Sequence, residues 1–199
     1  MHLARLDPVV LEGSLVRLEP LAPGHVPGLA EVGLDEVLWR FIPESVRTAE
    51  QMRAYVQRAL AEQDEGRSLP FAVTLRDGGK VVGSTRYGNI DLPNRRVEIG
   101  WTWLGLPWQR TAVNTEAKLL LMRHAFERLG MNRVEFKTDS LNEKSRAALL
   151  RIGAVEEGTL RSHMVTESGR IRHTVYFGVT KEEWPGVKER LLARLAAGK

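Results

Sequence analysis

The sequence of 199 residues contains no cysteine. This absence excludes disulfide bridges, thiolate metal ligands and a cysteine nucleophile. It also favours a cytoplasmic location, because cytosolic proteins seldom depend on disulfides. Runs of five or six like charges are missing too, and the densest basic stretches are only residues 95–96 and 170–173. The net charge of +4 is therefore dispersed, and we expect no direct binding to nucleic acid.

Long apolar runs are also absent. No stretch reaches the length that a membrane-spanning helix needs, and the first 13 residues lack the apolar core of a signal peptide. We therefore expect no membrane association. Apolar residues make up 43% of the chain and charged residues 27%, a composition that fits one packed domain over residues 1–199.

Apolar periodicity, turn residues and helix caps predict twelve elements in the order β α α β β β α β α β β α. The predicted strands cover residues 15–18, 69–75, 81–87, 97–103, 133–138, 159–165 and 171–179. The predicted helices cover residues 25–38, 48–65, 114–129, 143–152 and a C-terminal stretch from about 180. This order predicts an α/β fold with a mixed central sheet and helices on both faces.

Residues 106–158 carry the strongest functional signal. A polar loop, residues 109–115, leads into a predicted helix that Asn114 begins, and after a short strand Asn142 opens the next helix. A helix N-terminus presents free N–H groups and the positive end of the helix dipole, which together bind phosphate or pyrophosphate. The segment therefore predicts a site for a phosphorylated cofactor.

The order of elements and this segment resemble the GNAT-family N-acetyltransferases, in particular the branch that acetylates ribosomal-protein N-termini and related amines. The family's pyrophosphate loop has Gln or Arg, two residues, Gly, one residue, then Gly or Ala, often followed by Thr-Glu-Ala. Gln109 and residues 115–117 match the two ends of that pattern, whereas Ala112 and Asn114 stand at the glycine positions. Asn-Glu-Lys-Ser at residues 142–145 and Leu-Leu-Arg-Ile-Gly-Ala at residues 149–154 resemble the family's later motif, with Ala replacing its final aromatic residue.

The resemblance implies a GNAT fold whose sheet has about seven strands, mostly antiparallel and splayed at the centre. It implies acetyl-CoA as cosubstrate, no metal, and direct attack of an amine on the thioester. Asn142 would bind the pantetheine arm, and Ser145 would donate a hydrogen bond or relay a proton to the sulfur. The implied cofactor contacts are Trp103, Leu104, Gln109, Arg110, Thr111, Ala112, Val113, Asn114, Thr115, Asn142 and Ser145.

Acetyl transfer to an amine needs a base, because an ammonium ion has no free electron pair. The candidates are Glu98, Asp139, Tyr87 and Tyr176, and we predict Glu98 and Ser145 as the catalytic residues. Alternation in the strand places Glu98 opposite the apolar side chains at 97, 99, 101 and 103, on the face where the resembled family often has an acid. The alternatives are that Glu98 faces solvent and that Asp139 only caps the turn after its strand.

The acceptor pocket is predicted between residues 24–65 and 161–173, the segments with the least regular patterning. Their arginines favour an acceptor that carries negative groups near its amine, and they are Arg40, Arg47, Arg161, Arg170 and Arg172. Five aromatic residues either line this pocket or, as is commoner, belong to the core: Trp39, Phe41, Trp101, Trp103 and Trp108. The histidines show no metal-ligand spacing.

Several alternatives stay open from the sequence. The acceptor is a peptide N-terminus, a small amine or an antibiotic. The missing loop glycines motivate a non-catalytic protein of the same fold that binds CoA or a partner, and the arginine content motivates an RNA-associated protein. The oligomeric state is open as well, a homodimer included.

Overall fold

The computed structural model describes residues 6–198, which form eight strands and five α-helices. The strands are β1 (Leu11–Glu12), β2 (Val16–Pro20), β3 (Leu69–Leu75), β4 (Val81–Asp91), β5 (Arg96–Leu104), β6 (Arg133–Asp139), β7 (Val155–Val165) and β8 (Ile171–Thr180). The helices are α1 (Val26–Gly33), α2 (Ala49–Asp64), α3 (Ala112–Arg123), α4 (Glu143–Ile152) and α5 (Trp184–Ala196). No helix in this part of the chain is both long enough and apolar enough to cross a bilayer.

The strands form one sheet in the order β1-β2-β3-β4-β5-β6-β8-β7. Neighbouring strands are antiparallel, except that β5 and β6 are parallel. The predicted mixed, mostly antiparallel sheet is therefore confirmed. The strand beyond the predicted seven is the two-residue β1, which is too short to leave a periodic signal.

The sheet is splayed at its centre, as the resemblance implied. Pairing between β5 and β6 covers only Arg96–Glu98 against Arg133–Glu135. Beyond these three pairs the two strands diverge, and we call the space between residues 99–104 of β5 and 136–139 of β6 the gap. The gap opens at the C-terminal ends of two parallel strands, where α/β sheets commonly bind ligands.

Helices cover both faces of the sheet, each over its own apolar cluster. On one face, the α3 face, residues of α3 and α5 pack on the sheet, and the cluster includes Phe71, Tyr87, Leu121, Phe136, Phe177 and Leu191. On the other, the α2 face, α1 and α2 pack on it, and the cluster includes Leu29, Trp39, Met52, Tyr55, Ala72 and Trp103. The side chains that alternate along each strand thus have a separate core to enter on either side.

Two helix starts differ from the prediction. α3 begins at Ala112 rather than Asn114, because the Thr111 hydroxyl accepts a hydrogen bond from the Val113 N–H and caps the helix two residues earlier. The helix predicted from Thr48 begins at Ala49, with Thr48 as its N-cap. The sequence Thr-Ala-Glu-Gln matches a capping box, but the Gln51 side chain accepts from the Arg47 N–H (2.7 Å) rather than from the Thr48 N–H.

Two helix ends also differ. The helix predicted over 25–38 stops at Gly33, and Asp35 then caps a separate 3₁₀ turn, Glu36–Leu38. The helix predicted to residue 129 changes at His124–Arg128 into one wider π-helical turn before Gly130 closes it. Gly33 is a helix-stop signal through which the predicted helix continues, whereas the π-helical turn has no local breaker such as proline.

Candidate active site

A one-residue bulge in β5 shapes one wall of the gap. Arg86 of β4 pairs with Gly100 of β5, but two residues further along Ser84 pairs with Trp103, so β5 holds one extra residue. The bulge includes Trp101, whose φ of +49° is rare for a bulky side chain. It reverses the alternation, so Trp103 lies on the α2 face with Trp39 and Tyr55.

The prediction of which face of the sheet each β5 side chain occupies was therefore wrong beyond residue 99. Val97 and Ile99 face α3 as expected, whereas Trp103 shares the α2 face with Glu98. The side chains of Trp103 and Leu104 are buried in the two apolar clusters. These two residues could therefore contact a cofactor only through their main-chain groups. The bulge changes the direction in which those groups point.

The loop before α3 is held by its own side chains. The Gln109 amide nitrogen donates to the Leu104 carbonyl oxygen (3.1 Å), and the Thr111 hydroxyl donates to the Trp108 carbonyl oxygen (2.8 Å). Arg110 between them has a φ of +61°, the left-handed conformation that favours glycine. The sharp bend that brings the chain to α3 thus lies at Arg110, and Ala112 is already in the regular helix.

The turn at Arg110 and the start of α3 expose a row of main-chain N–H groups. Within residues 6–198, hydrogen bonds account for the N–H of Val113 but provide no acceptor for those of Arg110, Thr111, Ala112 or Asn114. Such a row at a helix N-terminus is an anion-binding arrangement.

The other side chains predicted for this loop point inward. Val113 and Thr115 are buried, and Asn114 is half-buried in the first turn of α3, with its buried Oδ1 lacking a hydrogen bond within the described residues. The prediction of Asn114 as N-cap was wrong, since Thr111 has that role.

The second predicted helix start lies at the end of β6. Asn142 caps α4, its Oδ1 accepting from the Ser145 N–H at 3.1 Å. Gly153 ends the helix in the left-handed conformation, with φ of +99°. Asn142 thus has a structural role as the N-cap of α4. Capping leaves its amide nitrogen and the Ser145 hydroxyl available for other contacts. Both residues are half-buried.

Glu98 is buried beside the gap on the α2 face. Its carboxylate contacts the amide of Asn89, and its Oε2 lies 2.8 Å from the Lys137 ammonium of β6. Lys137 in turn lies over the Tyr176 ring, 5.0 Å from its centroid. Glu98 is only 5% exposed, so it is not the solvent-facing glutamate of the alternative interpretation. A carboxylate, an ammonium and a phenol thus meet at the point where β5 and β6 part.

Two other candidate bases have structural partners. The Tyr87 hydroxyl donates to the Leu121 carbonyl oxygen in the α3-face core, where burial raises the pKa of Tyr87 well above its ordinary value. Asp139 is fully buried, accepts from the Leu141 N–H (3.0 Å) and pairs with Arg170. The contacts of Asp139 therefore fit the alternative in which it caps the turn after β6. Tyr87 belongs to the α3-face cluster, away from Glu98.

Two charged residues near the gap carried no sequence signal. Arg86 is 3% exposed, with its guanidinium over the rings of Tyr55 (5.2 Å) and Trp101 (5.0 Å) and paired with Glu62 of α2. Lys118 of α3 is also buried, and burial lowers its pKa to about 7 although the nearby charge of Glu98 acts to raise it. Both residues are charged, so composition and periodicity favour solvent for them.

One cavity is lined by residues from both of the segments between which the acceptor pocket is predicted. A pocket of about 280 Å³ is lined by Pro43, Glu44, Ser45, Gln51, Ala54, Arg58 and Glu167. Beside it, buried Arg172 donates to the Thr174 hydroxyl (3.1 Å) and the Phe41 carbonyl oxygen (3.4 Å). Arg170 is paired with Asp139, so of the five predicted arginines the three exposed ones are Arg40, Arg47 and Arg161.

The two ends of the gap offer different chemistry. A helix start with free main-chain N–H groups lies at one end and a carboxylate–ammonium pair at the other. That arrangement suits a long phosphorylated ligand whose reactive end reaches Glu98. Within residues 6–198, no group of three or more His, Asp or Glu side chains is arranged to hold a metal ion.

Comparisons with known proteins identify the family. A family model described as "Acetyltransferase (GNAT) domain" matches residues 16–155. A Bacillus subtilis (strain 168) protein named "Putative ribosomal N-acetyltransferase YdaF" is 33% identical over 150 residues, which cover 75% of this chain and 80% of that protein. The residues matched by the family model include the bulged strand, the loop and both helix starts.

Solved structures extend the similarity to nearly the whole chain. A protein described as a "putative acetyltransferase" from T. thermophilus superposes with a TM-score of 0.87 at 39% identity, covering 96% of this chain and 100% of that one. Mycobacterium smegmatis RimJ, in complex with CoA-disulfide, superposes with a TM-score of 0.81 at 25% identity, covering 94% and 95%. Sequence and structure therefore point to the same family.

Proposed function

The chain belongs to the GNAT family of N-acetyltransferases, and on that premise we propose that it binds acetyl-CoA in the gap and acetylates a primary amine. The observation that carries the proposal is the row of main-chain N–H groups from Arg110 to Asn114, aligned with a gap that leads to Glu98. GNAT acetyltransferases use acetyl-CoA, whose thioester supplies an activated acetyl group.

The described residues fit such a ligand. The N–H groups of residues 110–114 would bind the pyrophosphate. The Leu104 carbonyl oxygen already accepts from the Gln109 side chain. The other main-chain groups of Trp103 and Leu104 that point away from β4 would pair with the pantetheine amides as an added strand does. The Asn142 amide nitrogen, which capping leaves free, would donate to the same arm, and the Ser145 hydroxyl would donate to the sulfur.

Glu98 would remove the acceptor's proton. It stands on β5 in the last residue pair before β5 and β6 diverge, and Lys137 and Asn89 contact its carboxylate and fix its orientation. Its proton transfer needs either direct contact with the amine or one intervening water. The bulge in β5 changes the direction of its main-chain groups, and one of these N–H groups would stabilise the negative charge that develops on the thioester carbonyl oxygen during attack.

The acceptor would enter from the α2 face through the pocket between residues 43–45, α2 and the β7–β8 turn. The name of YdaF relates that protein to ribosomal N-acetylation, which among the alternatives favours a protein N-terminus as acceptor here too. The direct test is a panel of small amines and N-terminal peptides incubated with acetyl-CoA, with turnover measured as released thiol. Binding of CoA without thiol release from any acceptor would instead support the non-catalytic alternative.

The loop assignment predicts that Ala112→Asp lowers CoA affinity about tenfold or more, because a carboxylate would face the phosphates at close range. Isothermal calorimetry measures this affinity. Ala112→Gly is expected to bind CoA at least as tightly as the wild type, since it removes a methyl group from a helical position.

The matched control is Ala49→Asp. Ala49 follows a threonine N-cap at the first position of α2, as Ala112 does in α3, but lies outside the proposed cofactor site. Its CoA affinity should be unchanged. Equal affinity of Ala112→Asp and wild type would refute the loop assignment.

A further inference from the structure

A buried amine lies at the gap on the face opposite Glu98. Among the lysines of residues 6–198, only Lys118 is buried, at 6% exposure. Its Nζ lies 3.0 Å from the Thr102 hydroxyl oxygen of β5 and 5.4 Å from the Phe136 ring centroid of β6. These two residues stand on opposite walls of the gap, so the amine spans the place where the strands have parted.

The hydrogen-bonding capacity of this amine is mostly unused. An ammonium group has three N–H donors, and within the described residues Lys118 makes one hydrogen bond, to Thr102. A buried ammonium with unused donors is costly unless a ligand completes its surroundings. The two remaining N–H groups are therefore available to an acceptor that lies in the gap.

Few charges face Lys118. Glu98 of β5 is the one whose charge acts on it, and Lys137 of β6 already pairs with that carboxylate. Burial is the larger influence and lowers the pKa of Lys118 to about 7. The amine can therefore both hold and release a proton near neutral pH, which an exposed lysine does not do.

We propose that Lys118 is a catalytic residue that donates its proton to the sulfur departing from the acetyl group. The proposal rests on the proposed function, because it requires the thioester to lie in the gap. As the amine nitrogen bonds to the carbonyl carbon, the carbon–sulfur bond breaks and its electron pair stays on sulfur. Lys118 gives that sulfur a proton, and the nitrogen loses one to Glu98. Exchange with solvent restores both residues, so the products are an amide and a free thiol.

Lys118 is better suited to this step than Ser145. A serine hydroxyl is a poor acid, and Ser145 lies at the start of α4, where it can donate a hydrogen bond without giving up its proton. A cation beside sulfur also stabilises the thiolate before the proton moves. Glu98 and Lys118 would then serve opposite ends of the reaction, one on each face of the sheet.

The first measurement uses the wild-type protein with CoA itself. If Lys118 contacts the sulfur, bound CoA should have a lower thiol pKa than free CoA, measured from the ultraviolet absorbance of the thiolate across pH. Desulfo-CoA provides the blank. An unchanged thiol pKa on binding would overturn the proposal without any variant being made.

The second measurement compares Lys118→Met with Lys181→Met. Methionine keeps the length of the side chain in a buried site, and Lys181 is an exposed lysine after β8. Lys118→Met should bring the thiol pKa of bound CoA back toward that of free CoA and lower kcat by about 10²-fold, with CoA affinity little changed. Lys181→Met should behave as wild type. A Lys118→Met protein that keeps the lowered thiol pKa, or keeps its kcat, would contradict the assignment.

The two proposals fail in different ways. If the wild type does not bind CoA or never releases thiol from acetyl-CoA, the proposed function is wrong. If it does both and Lys118→Met is unaltered, only the role of Lys118 is wrong.

Discussion

Replacing Glu116 with alanine is expected to lower the free energy of unfolding by about 3 kcal/mol, because loss of the buried carboxylate would leave main-chain donors without a partner. Glu116 of α3 accepts from the N–H and hydroxyl of Ser14 and from the N–H groups of Leu15 and Val16, at 2.7–2.8 Å. A side chain on Gly13 would overlap the Glu116 carboxyl group, so glycine admits this carboxylate. Denaturant titration measures the loss.

The same contact predicts a pH dependence. Burial acts to raise the pKa of Glu116, but the hydrogen bonds from Ser14, Val16 and Leu15 outweigh it and hold the pKa below its ordinary value. The stabilisation is therefore complete above the pKa of the unfolded chain and is lost as the pH falls through the folded pKa. The difference in the free energy of unfolding between wild type and Glu116→Ala should become smaller in acid. The exposed Glu189→Ala is the control, and an equal loss in both variants would contradict the assignment.

Glu98→Gln is expected to lower kcat by about 10²-fold or more with little change in CoA affinity, since glutamine keeps the shape of the side chain but not the base. Steady-state thiol release measures kcat, and calorimetry measures the affinity for CoA. Thermal unfolding shows whether loss of the Lys137 ion pair has altered the fold.

Glu135→Gln is the matched control for that experiment. Glu135 is the parallel partner of Glu98 on β6 and is also buried, but its carboxylate pairs with Arg96 and Arg133. The kcat of Glu135→Gln should stay close to that of the wild type. Full activity of Glu98→Gln across the pH range would transfer the role of base to Tyr176 or to water.

The order of elements followed from the sequence because its signals are local. Thr48 and Asn142 cap helices where they were predicted to, and Gly153 ends α4. Thr180 and Glu183 form reciprocal hydrogen bonds before α5, where the sequence predicts the C-terminal helix to begin. Each of these signals depends on residues within one helical turn, which is the range over which sequence patterns determine structure.

The bulge at Trp101 could not be found in that way. Gly100, immediately before Trp101, is one local sign, because an isolated glycine in a strand pattern suggests a bulge. It does not give the position of the extra residue, and tryptophan is among the residues least expected at a positive φ. The space it needs comes from Gly88 of the neighbouring strand, where a side chain would overlap the Trp101 ring. Alternation alone therefore assigned Trp101 and Trp103 to the face of Val97.

Lys118 and Glu116 show a second reason why part of the site could not be predicted from the sequence. Most residues of α3 are buried, on several sides of the helix, so a solvated face is not available to its charged residues. Thr-Glu-Ala resembled the end of a cofactor loop, yet the glutamate points to the turn before β2. Which buried charge meets a turn and which meets the gap depends on strands distant in sequence.

The gap also has a mechanical consequence. Five strands lie on one side of it and three on the other, and three residue pairs join the halves within the sheet. The ligand-free sheet thus has a seam along which local opening needs few hydrogen bonds to break. Those amides of residues 99–104 and 136–139 that point into the gap, rather than toward β4 or β8, should exchange rapidly with deuterated solvent. A ligand that pairs with β5 would act as the strand missing from the seam. Protection of these amides should then rise with ligand concentration, and the two halves should unfold as one cooperative unit.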